Sequence, residues 1–152
     1  MDIWDLYAQY DDAAKRSGLT PEQRQLLAIC DLRQEVNAGG FDSYLRCWGA
    51  DTAHDALTLL PRALGDEWHR VLTEALSIFG TANPTNADER AEVIDGAAEA
   101  DDVLGFADDR YYELEAQQNA DERLGVLADE LSPWPTPPAA PQKRRLFGRR
   151  KD

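Results

Sequence analysis

Apolar residues recur every three or four positions along most of the chain, and no stretch alternates apolar and polar as a half-buried strand would. Ile3, Leu6, Tyr7 and Tyr10 mark one face of a first helix expected to end near Gly18. "TPEQ" reads as a helix start, with Thr20 as N-cap, Pro21 at the first helical position and Gln23 closing a capping box. Leu26, Leu27, Cys30, Leu32 and Val36 carry that helix to the paired glycines Gly39 and Gly40, and a short aromatic helix, "FDSYLRCWG", follows. "DTAHDALTLLPRALG" starts another, capped by Asp51 or Thr52, in which Pro61 predicts a kink or a split. "DEWHRVLTEALSIFG" is the clearest amphipathic segment, with Trp68, Val71, Leu72, Ala75, Leu76 and Phe79 inward. After the loop "TANPTN", helix resumes at Ala87 with an interruption expected around Gly105, and "DDRYYELEAQ" and "DERLGVLADEL" close the series. The pattern predicts an all-α fold: one compact domain of about six to eight helices over residues 1–132, a proline-rich linker over 133–142, and a basic tail over 143–152 expected to be disordered.

Charge changes this picture in two ways. The chain of 152 residues carries a net charge of −13 with a pI of about 4.5, which argues against direct binding of nucleic acid by the domain, since phosphate contacts need Lys and Arg in excess on some face. The average also hides a division. Residues 1–138 hold 28 acidic and 10 basic residues, whereas "AAPQKRRLFGRRKD" holds six basic residues and one acidic. Cys30 and Cys47 have neither metal-site nor redox-pair spacing, and two thiols imply no disulfide framework. The acidic N-terminus does not read as a signal peptide and no apolar run reaches membrane-span length, so a cytoplasmic protein with no membrane span is expected.

Gly39 and Gly40 raise the question of a phosphate-cradling loop. Such a loop should follow a strand and show GxGxxG or GxxxxGKS spacing, and neither is present. The alternative is a corner, in which Gly39 adopts the left-handed conformation that ends one helix and Gly40 leads into the next, with Glu35 and Asn37 hydrogen-bonding across it and Phe41 opening the following helix. "EVNAGGFDSYL" resembles the Glu-Val-Asn-x-Gly-Gly-Phe signature of a bacterial DNA-mimic-protein-like helical family, much of it of unknown function. "ALTLLPRALG", the Arg90 region and "LGFADDRYY" agree in order, so the resemblance spans roughly residues 20–131. Ala38 stands where the family more often has Asn. The resemblance implies an all-helical domain, often a homodimer, and in one branch a protein that imitates DNA and keeps a transcription regulator from its operator. It supplies no list of binding residues.

Residues 87–131 hold 15 acidic residues against Arg90, Arg110 and Arg123. Asp88, Glu92, Asp95, Glu99 and Asp102 step by four and three, so on one helix they would form a single stripe, which Asp109 and Glu113 extend beyond Phe106; Ala87, Ala91, Ile94 and Ala98 would form the adjoining inward face. Like charges at this spacing cost a helix a few tenths of a kcal/mol per pair, which mildly favours a binding role, although charge runs on helices are ordinarily solvated faces. Enzymatic chemistry finds less support. His54 and His69 lie on separate helices without a metal or nucleophile motif, and Asp51, His54 and Asp55 share a helix start where capping is the ordinary role. No catalytic residue, metal ligand or cofactor is assigned, and Trp134 in the linker is expected to pack back on the domain. The acidic stripe together with the family resemblance points to a module that binds a basic DNA-binding protein as a DNA mimic. Its alternatives are an immunity or antitoxin-type inhibitor of a basic nuclease, and a helical domain whose acidity serves solubility. The role of the basic segment Lys143 to Lys151 stays open.

Overall fold

The computed structural model describes residues 1–82 and 84–139, and within them the chain forms seven α-helices and no strand. These are α1 (Ile3–Gln9), α2 (Pro21–Leu45), α3 (Ala53–Ala63), α4 (Asp66–Leu76), α5 (Ala87–Gly96), α6 (Ala100–Gln117) and α7 (Ala120–Glu130), with 3-10 turns at Ala13–Arg16, Trp48–Thr52 and Ser77–Phe79. The all-α fold is therefore as the periodicity predicts. No helix among the described residues is long and apolar enough to cross a membrane. The basic tail and the end of the linker lie outside the described residues.

Helix α2 is the axis of the domain and packs against α3, α6 and the Trp48–Thr52 turn. The capping box is present as read: Gln23 N–H donates to Thr20 Oγ1 and the Thr20 N–H donates back to Gln23 Oε1. Every residue from Leu26 to Arg33 is buried. A helix covered around its whole circumference must take its polar residues inside with partners. Asp31 accepts both guanidinium nitrogens of Arg16, at 2.7 and 2.9 Å, together with the Tyr7 hydroxyl at 2.6 Å. Arg33 forks onto Glu115 of α6 at 2.9 Å twice and reaches Asp121 of α7 at 2.8 Å.

The glycine pair is a bend within α2, and the residue in the left-handed half of backbone space is Gly40 (φ 77°, ψ −177°), whereas Gly39 (φ −157°, ψ 18°) has negative φ. The expectation that Gly39 takes that role is thus corrected, and the reason is the neighbour. A Cβ at Gly40 would stand 2.6 Å from Asp108 Oδ2, while Asp108 Oδ1 accepts the Phe41 N–H at 2.7 Å. The α6 carboxylate caps the second arm of α2 and leaves no room for a side chain at the bend. Glu35 accepts from Ser43 Oγ across the bend at 3.3 Å, as expected, and Asn37 donates to Glu115 at 3.1 Å. Phe41 is buried edge-on against Tyr44 and Tyr111.

Other boundaries also move. The first helix stops at Gln9, because Asp12 caps a separate 3-10 turn before Gly18. Thr52 sits at the start of α3, but its hydroxyl turns to Asp31 and the Gly49 carbonyl. Pro61 is exposed and does not split α3, which ends two residues later. The interruption expected at Gly105 falls instead at Ala97, whose extended backbone (φ −100°, ψ 113°) separates α5 from α6; Gly105 lies inside α6 on its exposed side. Beyond α7, Trp134 packs against Tyr10 and donates its indole N–H to the Ala128 carbonyl at 2.8 Å, while Tyr10 donates to the Pro135 carbonyl and Gln23 to those of Leu131 and Pro133. The proline-rich segment is strapped down as far as these contacts reach.

Two glycines should therefore respond oppositely to the same change. Gly40→Ala is expected to lower stability by about 3 kcal/mol, from backbone strain and the Asp108 contact. Gly105→Ala, helical with nothing near its added methyl, should raise it by about 0.5–1 kcal/mol. Urea unfolding of the two variants beside the parent protein measures both.

Candidate protein-binding surface

Helix α5 starts at Asn86, whose side chain accepts the Glu89 N–H at 2.9 Å, and it is pinned by Arg90. That side chain is 2% exposed and spans back to the C-terminal end of α2, donating to the carbonyls of Leu45 and Cys47 at 2.8 Å each and pairing with Asp51 at 2.8 Å. Arg90 satisfies carbonyls at a helix end, where positive charge is favourable. Ile94 is the other buried residue of α5; Ala87 and Ala91 are half-buried and Ala98 is exposed, so the expected inward alanine face is mostly absent. With Arg90 and Ile94 inward, Asp88, Glu92 and Asp95 are all exposed.

The continuous stripe does not form, because the break at Ala97 intervenes. Asp88, Glu92 and Asp95 make one row on α5, Glu99 lies in the connecting turn, and Asp102, Asp109 and Glu113 make a second row on α6. All seven carboxylates are exposed. Among the described residues only Asp95 has a cationic partner, Arg46 at 2.8 Å. Phe106, four residues after Asp102 and three before Asp109, stands in the second row and is 69% exposed. Arg110 lies beside it, half-buried and without an ion pair among the described residues.

The inner side of α6 accounts for two further carboxylates of the acidic half, Asp108 and Glu115. Asp108 holds the bend of α2, and burial pushes its pKa up, with Asp109 and Asp42 adding to the shift against the Phe41 N–H. Burial would also raise Glu115, but the hydrogen bonds from Arg33 and Tyr111 outweigh it and hold its carboxyl below the ordinary value. Tyr111 is buried beside Trp68, and Tyr112 donates to the Val36 carbonyl at 2.9 Å. "DDRYY" and "EVNAGGF" are therefore two sides of one contact.

Of the residues considered for chemistry, Asp51 is engaged by Arg90, while Cys30 is buried with its thiol pKa pushed up by that burial. His54 and His69 lie on α3 and α4 respectively, the former exposed and the latter half-buried. Among the described residues no group of three or more His, Cys, Asp and Glu side chains is placed to hold a metal ion.

A family model described as DMP19-like protein matches residues 17–130. The chain belongs to this family. The match takes in the whole α2 bend, Arg90, both acidic rows and the α6 contact, and leaves out α1 and the Trp134 strap. No curated protein and no solved structure matches the chain.

The depressed pKa of Glu115 fixes the sign of a pH effect. A carboxyl held below its unfolded value contributes stability that is present above the unfolded pKa and lost as pH falls through the folded one. Glu115→Gln should cost about 2 kcal/mol near pH 7, and the gap from the parent should narrow towards about pH 3, as unfolding titrations at both pH values would show.

Proposed function

We propose that this DMP19-like protein acts by binding rather than by catalysis, and that its two acidic rows imitate DNA towards a basic DNA-binding protein, a transcription regulator or nucleoid protein. The observation that carries this reading is the set of exposed carboxylates on α5 and α6 that local structure leaves unexplained. Asp88 and Asp102 lie in first turns, where negative charge offsets the helix dipole. Glu92, Asp109 and Glu113 lie beyond those turns and have no cationic partner among the described residues, and Asp95 shares Arg46 with Asp42. Neighbouring carboxylates on a helix face stand about 5–6 Å apart at Cβ, within reach of phosphate spacing along a nucleic-acid strand. Such a surface gives fast, salt-sensitive association with a basic partner.

Phe106 sharpens the reading. A surface serving solubility alone has no use for a large exposed aromatic ring among its charges, whereas an interface gains from an apolar anchor ringed by polar groups. An immunity-type role against a basic nuclease would use the same surface on a different partner. A homodimer and a cytoplasmic setting are compatible with this proposal.

Neutralising Asp88, Glu92, Asp95 and Glu99 together, as Asn or Gln, is expected to abolish capture of the basic partner from lysate while keeping, or slightly raising, thermal stability. The parent protein should lose the same partner on raising salt or adding duplex DNA. Capture by the variant with an unchanged salt dependence would remove the α5 row from the interface.

A further inference from the structure

A second surface feature lies away from the acidic rows. A groove of about 370 Å³ opens between α1, α2 and the Trp48–Thr52 turn, lined among others by Trp4, Tyr7, Asp11, Gln34, Glu35 and Trp48. None of the seven row carboxylates lines it. Three aromatic rings and three carboxylates, counting Asp31, border the groove, and no Lys or Arg does. Trp48 is 39% exposed, an uncommon placement for tryptophan on a surface with nothing to cover it.

Two guanidinium groups already lie against these rings. The Arg16 guanidinium lies 5.6 Å from the Tyr7 ring centroid and 5.4 Å from that of Trp48, and Arg33 lies 5.4 Å from Trp4. Arg16 is neutralised by Asp31, which is thereby engaged and adds little towards the groove. At the rim, Glu35 has only the 3.3 Å contact from Ser43, and Asp11 pairs with Lys15 on an exposed edge. Glu35, aided by Gln34 and Asp11, is thus the acceptor open to an incoming cation. Guanidinium fits this lining better than ammonium, because it is planar, weakly hydrated, stacks on aromatic faces and offers forked donors to a carboxylate.

We propose that the Trp4–Trp48 groove binds the guanidinium of an arginine side chain presented by another polypeptide, stacked between the aromatic walls and hydrogen-bonded at Glu35. The site is independent of the acidic rows, so neutralising those rows leaves it intact, and a failure of one proposal does not carry the other with it. A partner rich in arginine would be gripped at both surfaces.

The test is a titration of the full chain with N-acetyl-arginine-N-methylamide, followed by the indole N–H signals in a two-dimensional NMR spectrum. The signals of Trp4 and Trp48 should move with millimolar affinity, while those of Trp68 and Trp134, which line no part of the groove, stay in place. The neutral citrulline analogue should move neither. Glu35→Gln should weaken the arginine probe by roughly threefold or more, and Trp48→Ala by at least as much. Because Trp48 also supports Arg16, the Glu35 variant serves where the tryptophan variant is misfolded. Equal shifts with the citrulline analogue, no shift of Trp4 or Trp48, or full affinity in Glu35→Gln would each overturn the proposal.

Discussion

The domain depends on the burial of α2 around its whole circumference from Leu26 to Arg33. That burial collects the apolar surface of α3, α6 and the turn after the bend, and it also carries one carboxylate and one guanidinium into the interior. Charges in such a place are tolerable only with close, well-directed partners, and removing one partner leaves the other exposed to a large desolvation cost. Asp31 therefore dictates where Arg16 and Tyr7 must be, which fixes α1 and the turn beyond it. Arg33 likewise dictates the placement of Glu115 and Asp121, which fixes α6 and α7. The ion pairs add specificity of arrangement to a core whose stability comes chiefly from its leucines and aromatics.

The same demand shapes the surface. Residues 1–138 hold ten cationic side chains, and eight of them are engaged with carboxylates or carbonyls of the domain itself. Arg16, Arg33 and Arg90 are buried and close helix ends or helix contacts. Few cations remain to face the acidic rows on α5 and α6, and the one arginine in α5 points inward. The acidity of the outer face is thus partly a consequence of how the interior is built. A binding role rests on the subset of carboxylates that neither capping nor pairing accounts for, together with the exposed ring among them.

What the sequence made legible follows the strength of the local chemistry. The capping box at Thr20, the inward face of α4 and the all-α class depend on short-range rules and are present in the structure. The bend at Gly39–Gly40 was legible as a bend, but which glycine needs the left-handed conformation depends on Asp108, which is distant in sequence and arrives through tertiary packing. The break at Ala97 is not where the sequence puts it because Gly96 and Gly105 offer the same local stop signal, and nothing crowds or strains either of them, so local chemistry does not decide between them. That single misplacement turned two rows of carboxylates into one expected stripe. Phe106 was legible as well, since its steps of four from Asp102 and three to Asp109 put it on the acidic face, and the structure adds that its ring is left exposed there.

The "EVNAGGF" and "DDRYY" segments and Arg90 join α2 to α6 and α5. Gly40 admits the Asp108 carboxylate, Phe41 stacks on Tyr111, the Val36 carbonyl receives Tyr112, and Arg90 closes the end of α2. None of these is free to contact a partner without dismantling the helix contact it makes. These residues therefore hold the scaffold, and any partner contact falls to exposed positions. A surface of carboxylates alone discriminates weakly, since any basic groove attracts it and salt releases it. An exposed aromatic at the centre of one row adds a contact that salt does not screen and that only a partner with a matching apolar hollow can accept. If the rows supply the attraction, Phe106 is the residue placed to supply the choice.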